Sequence, residues 1–169
     1  GGASAPDLGA DEFDGAPSLS MSYTSSTTEQ VTGSAYAGVT NQSIIRVKIV
    51  TTGVTSPLSL TNLTLNANGT TAIGDINAAT AKVYYTGAST TFSTSSLFGA
   101  TTPTIANFTV TGSQTLVEGN NYFWLAYDVA SAATSANLID GECIDLTVGT
   151  VQTPTDSAPS GNQSILGAM

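Results

Sequence analysis

The chain has 169 residues, 40% of them hydrophobic, and 12 acidic residues face 3 basic ones for a formal charge of −9. That length suits one domain with its own core, and the acidic balance disfavours nucleic acid or an anionic membrane surface as a partner. Histidine is absent and Cys143 is the only cysteine, which removes an internal disulfide and the commonest acid/base side chain together.

Residues 1–18 read as a linker or the tail of a preceding domain. Asp7, Asp11, Glu12 and Asp14 are interrupted there by Pro6, Gly9, Gly15 and Pro17. Leu19, Met21 and Tyr23 then share one face at period two, which predicts a first strand. Its signal fades over Thr24, Ser25, Ser26, Thr27 and Thr28. Residues 43–52 give the clearest strand, with Ile45, Val47 and Ile49 inward and Arg46 and Lys48 outward in solvent. The alternative for a lysine there is a buried side chain cross-linked to an asparagine, as in some bacterial adhesins.

Leu58 and Leu60 alternate on one parity, Leu63 and Leu65 on the other. An extra residue near Thr61 and Asn62 is therefore expected to form a bulge. Residues 66–69 have turn chemistry, and 75–81 are expected to hold a short helical turn. A strand follows over 82–86, with Val83 and Tyr85 opposite Tyr84. Residues 91–96 are polar around Phe92, and Leu97, Phe98 and Gly99 close that section. Strands are expected again at 108–115 and 121–129, the latter with Phe123, Leu125 and Tyr127 facing the core. Residues 141–149 contain a last strand. There Ile144, Leu146 and Val148 are the expected core set, which puts Cys143 on the less apolar face, although a buried thiol acting as a small hydrophobe stays its expected state. Residues 150–169, with Pro154, Pro159 and Gly161, read as a C-terminal linker or edge segment in which Ile165 and Leu166 add a last contact.

Seven or eight short strands without helical periodicity predict an all-β fold. The expected form is a two-sheet antiparallel β-sandwich, immunoglobulin-like or jelly-roll-like, over residues 19–149. A barrel or one curled sheet is the alternative. No apolar run approaches the roughly 18 residues that span a bilayer, and no basic, apolar leader is visible, so a signal peptide is expected to lie outside this sequence.

Chemistry has few residues to work with. A hydrolytic triad needs a base to activate its nucleophile. Lys48 and Lys82, which could serve a serine, sit in alternating strands. Paired carboxylates remain, from Asp128, Asp140, Glu142 and Asp145, and these read as surface and loop acids. Calcium is the better use of such acids, because it takes oxygen ligands from loops. Asp75 with Asn77, and Asp140 with Glu142, are the local pairs. Carbohydrate binding would use Trp124, Tyr122 and Tyr84 as an exposed platform, against the usual packing role of such rings.

The stretches NQSIIRVKIV (41–50), PLSLTNLTLNANGTT, AKVYYTG, GSQTLVEGNNYFWLAYDV and ECIDLTV, in that order, resemble the N-terminal associated domain of BNR-repeat neuraminidases. This β-sandwich module also recurs in large secreted proteins of Bacteroidetes. The resemblance covers residues 19–149. It implies a secreted or cell-surface location, neighbouring domains of the same polypeptide as partners, and an extracellular glycan or protein as a further one. The sialidase chemistry belongs to a separate repeat domain, so the resemblance implies an accessory role and transfers no catalytic residue. The phrase PDLGADEF (6–13) resembles one that follows β-helix or pectate-lyase-like regions in proteins of the same bacteria. Asp156, Ser157 and Ala158 match the O-glycosylation pattern of that phylum, with Ser157 as acceptor. Five Asn-x-Ser/Thr triplets, from Asn41, Asn62, Asn68, Asn107 and Asn162, read as incidental in so Ser/Thr-rich a chain. The expected function is a non-catalytic structural or adhesive module; the alternative is a carbohydrate-binding accessory domain of a glycan-active enzyme.

Overall fold

A computed structural model describes residues 18–168, which form twelve strands and one 3-10 turn. The strands are β1 (Ser22–Gln30), β2 (Gly33–Tyr36), β3 (Gln42–Thr52), β4 (Ser59–Asn66), β5 (Ala81–Tyr85), β6 (Leu97–Thr101), β7 (Phe108–Thr115), β8 (Gly119–Tyr127), β9 (Leu138–Ile139), β10 (Glu142–Val148), β11 (Thr150–Gln152) and β12 (Gln163–Leu166). They build three sheets, ordered β1-β3-β8-β5-β6, β11-β10-β4-β7 and β2-β12-β9. The fold is all-β as expected. The third, small sheet was not foreseen, and in it β12 runs parallel to β2. The acidic cluster expected as a linker, Asp7 to Asp14, lies outside the described residues.

The period-two pattern of β3 does what it predicts. Ile45, Val47 and Ile49 are buried, as are Phe123, Leu125 and Tyr127 of its neighbour β8. One apolar cluster joins these to Leu63, Leu65, Val110 and Leu146 of the four-stranded sheet and to Ala35, Ile139 and Ile165 of the small sheet. Burial of this kind is the main favourable term in folding.

Several expectations are corrected. The first strand does not fade: β1 continues through the threonines to Gln30, paired with β3, and buries Ser26 and Thr28. A hydrogen-bonded partner strand overrides the weak apolar signal. The helical turn lies earlier than 75–81, as the 3-10 turn Ile73–Asp75. Leu97, Phe98 and Gly99 are not a closing segment but the start of edge strand β6. Ile144 is only half-buried, whereas Cys143 is fully buried, as its reading as a small hydrophobe expects. The register of β10 against β4 shifts between Cys143 and Asp145, so Cys143 and Leu146 share the core side despite their opposite parity. Burial pushes the Cys143 thiol up to about 12, which makes it an inert apolar group. The expected bulge near Thr61 is present as a register shift between Leu60 and Asn62.

Residues 150–169, read as linker or edge, hold β11 and β12 over their described part. Thr155 donates its N–H to Ser26 and accepts from the N–H of Thr28, while Ser157 accepts from the N–H of Cys143. The segment thus links β1 of one sheet to β10 of another. Buried Gln163 donates its amide to the carbonyls of Val31 (2.8 Å) and Ser43 (2.7 Å) and accepts from Gln42 (2.8 Å).

On the other side, edge strands β6 and β7 approach backbone to backbone. A Cβ on Gly99 would overlap the carbonyl of Thr111, and one on Gly112 the carbonyl of Phe98. Neither neighbour is a flexible side-chain end, so both positions require glycine. Gly112→Ala is expected to cost about 1–3 kcal/mol through overpacking, read as a lower urea midpoint with an unchanged slope.

Candidate functional site

The outer face of the five-stranded sheet carries the densest set of functional side chains. Strand register sets Glu29 of β1 opposite Arg46 of β3, Arg46 opposite Trp124 of β8, and Trp124 opposite Tyr84 of β5. These four make one row across the sheet, and the Lys48–Tyr122 pair stands beside it. Alternation with the buried Val47, Phe123 and Val83 puts the row on the far side from the core.

Arg46 does not simply reach solvent, as its place in the pattern suggested. Its guanidinium lies 5.0 Å from the Tyr122 ring centre and 5.3 Å from that of Trp124. It also pairs with the Glu29 carboxylate and donates to the Thr90 carbonyl at 3.3 Å. Cation–π contacts with two rings and an ion pair hold it in place.

The loop from Thr86 to Ser96, between β5 and β6, roofs the same row. Phe92 packs 5.7 Å from Trp124 and edge-on to Tyr84 at 5.8 Å. The Trp124 indole donates to the Thr86 hydroxyl at 3.0 Å. The structure therefore brings Trp124, Tyr122 and Tyr84 together, but at 6, 7 and 6% exposure. Glu29 and Phe92 were missed from sequence, because one lies in the faded strand and the other in a polar segment.

Beside the row lies a groove of about 330 Å³ bounded by Glu29, Gln30, Val31, Thr32, Arg46 and Trp124. Across β1, a second hollow of about 510 Å³ reaches the 156–160 loop. Ser157 is half-buried in that loop, next to exposed Asp156.

Beyond Tyr84 the face turns polar. Lys82 donates to both carboxylate oxygens of Asp128, at 2.9 and 2.7 Å, and to the side-chain oxygen of Asn41 at 3.0 Å. Tyr84 donates its hydroxyl to the same Asn41 oxygen at 2.8 Å. Asn41 in turn donates its backbone N–H to Asp128 at 2.7 Å.

The two acid pairs lie apart from this face. Asp75 is buried and accepts from the N–H of Thr134 (3.0 Å) and the amide of Asn137 (2.7 Å), so each of its oxygens holds a loop. Asn77 is exposed, and its N–H donates to the Asp128 carbonyl. Asp140 accepts from the N–H of Gly141, and Glu142 accepts from the Asn68 amide. Among the described residues, no three His, Cys, Asp or Glu side chains gather as a metal cluster.

Burial pushes the Asp140 carboxyl up to about 6; the nearby Glu142 charge adds to this, against hydrogen bonds from Gly141 and Gln30. A folded-state pKa above the unfolded one means that the native state binds more protons between the two values. Stability from this group is present at about pH 4 and is lost as pH rises toward about 6. Asp140→Asn is expected to flatten that fall and to raise the melting temperature at pH 7 relative to the unsubstituted chain, as a pH series of thermal melts would show.

The family described as the N-terminal domain of BNR-repeat neuraminidase matches residues 24–149, a span that includes the whole aromatic row and the Lys82 network. No curated protein matches the chain.

Proposed function

The chain belongs to the family of N-terminal domains of BNR-repeat neuraminidases, and we propose that it serves as a non-catalytic structural or adhesive module of a larger secreted or cell-surface protein. The observation that carries this reading is the treatment of its aromatic face. Trp124, Tyr122 and Tyr84 are covered by Arg46 and the 86–96 loop, and the polar atoms of Trp124 and Tyr84 are bonded inside the chain. A face so closed favours rigidity over an open sugar platform. In this reading the five- and four-stranded sheets act as the layers of a sandwich, immunoglobulin-like or jelly-roll-like, supported by the single core they share. Neighbouring domains of the same polypeptide are its first partners. No helix among the described residues is long and apolar enough to cross a membrane.

The second reading, a carbohydrate-binding accessory domain, draws on the groove beside Trp124 and Arg46. Calcium, as a proposed cofactor, would fall to Asp140 and Glu142, since Asp75 has both oxygens engaged. Ser157 is retained as the proposed O-glycosylation acceptor. A glycan array probed in calcium-containing buffer decides between the readings. Silence is expected for a structural module; reproducible binding that Trp124→Ala removes, with the fold retained by circular dichroism, would establish the second.

A further inference from the structure

We propose that Lys82 and Asn41 form an intramolecular isopeptide bond, with Asp128 as the proton-transfer group. In the sequence, Lys48 is the lysine for which cross-linking to an asparagine stands as the alternative reading, but the structure brings Lys82 to one. The Lys82 amine touches both carboxylate oxygens of Asp128 and the amide oxygen of Asn41 within 3.0 Å. The side chains of Lys82 and Asp128 are 21 and 14% exposed. As a mere ion pair this arrangement needs only the contact between Lys82 and Asp128. It does not require the asparagine, nor a second donor on the asparagine oxygen.

That second donor is the hydroxyl of Tyr84, 2.8 Å from Asn41 Oδ1. A donor aimed at a carbonyl oxygen stabilises the negative charge that grows there when a nucleophile adds to the carbon. Asn41 is also held by its own N–H on Asp128 and by a left-handed backbone at φ 54°. Nucleophile, electrophile, acid and oxyanion donor are thus assembled from β5, the end of β8 and the turn before β3, which meets the value of positioning in amide chemistry.

The reaction balances within the chain. Asp128 accepts one proton from the Lys82 ammonium, leaving a neutral amine. The Nζ lone pair adds to Cγ of Asn41, and the oxygen charge is held by Tyr84. Asp128 returns its proton to Nδ2, the Cγ–Nδ2 bond breaks, and ammonia leaves. The second Nζ proton passes to Asp128 and departs with the ammonia as ammonium. The product is an amide between Nζ and Cγ, with no oxidant or co-reactant consumed. In the sheet order β3-β8-β5, the bond ties β5 to the entry of β3 across the strand that separates them.

Denaturing mass spectrometry of the purified full chain tests this directly. The mass is expected below the sequence mass by one ammonia. Arg46, Lys48 and Lys82 are the chain's only sites for trypsin. A cross-linked Lys82 resists cleavage, so fragment 49–169 is expected intact and carrying 1–46 as a branch. Lys82→Arg, which keeps the charge, and Asn41→Ala are each expected at full sequence mass, and Asp128→Asn likewise. The proposal is overturned if the folded, unsubstituted chain shows its full sequence mass and is cleaved after Lys82. It is equally overturned if ammonia is lost but no branched fragment is found, since cyclisation of an asparagine would then account for the mass.

Discussion

A chain ended at Gly149, where the family match stops, is expected to lose a large part of its stability, about 4 kcal/mol or more. The removed residues are not peripheral. Ile165 is fully buried against the core, and burial of such a side chain contributes about 1.5–3 kcal/mol. Loss of Gln163 strips its amide from the carbonyls of Val31 and Ser43. A buried polar group left without a partner costs about 1–3 kcal/mol. The Thr155 bonds to β1 and the Ser157 bond to β10 go as well. Against a typical total of about 5–15 kcal/mol, this removes roughly a quarter to four fifths of the stability. Urea denaturation followed by Trp124 fluorescence, compared with the chain ended at Gly167, measures the difference. A midpoint within error of the longer chain would show that the last strands merely decorate the fold.

Phe123→Ala is expected to cost about 3–5 kcal/mol, the range for deleting a buried aromatic ring. Phe123 is fully buried in β8, with Tyr85 at 4.8 Å and Phe98 edge-on at 5.7 Å between ring centres. Phe98 belongs to β6, whose backbone meets β7 at Gly99 and Gly112. A cavity at Phe123 therefore loosens the place where the five- and four-stranded sheets approach. Phe123→Leu, which keeps more of the volume, is expected to cost less than half as much. Chemical denaturation of both variants checks the order, and equal losses would argue that the ring contacts, rather than the volume filled, carry the energy.

These two residues differ in how visible they were. Phe123 was legible because it stands in phase with Leu125 and Tyr127 in a strongly alternating strand. Ile165 was placed only as a last contact in a proline-bearing segment, since its strand is four residues long and one of its two partner strands lies more than a hundred residues away. The same holds for the aromatic face. Tyr84, Tyr122 and Trp124 were legible as a set, but which side of them meets water depends on where a polar loop folds. Phe92 and Thr86 decide that, and neither carries a pattern in the sequence.

The sequence by itself determined the all-β class, the inward set of β3 and β8, the bulge near Thr61 and the family. The first three follow from alternation between adjacent residues, a local property of an extended chain, and the family from the resemblance of several stretches in their order. The tertiary structure alone decided the third sheet, the turning of Ile144 out of the core, the roofing of Trp124 and the meeting of Lys82 with Asn41 and Asp128. Each of these depends on register between strands distant in sequence, where a one-residue shift sends a side chain to the opposite face.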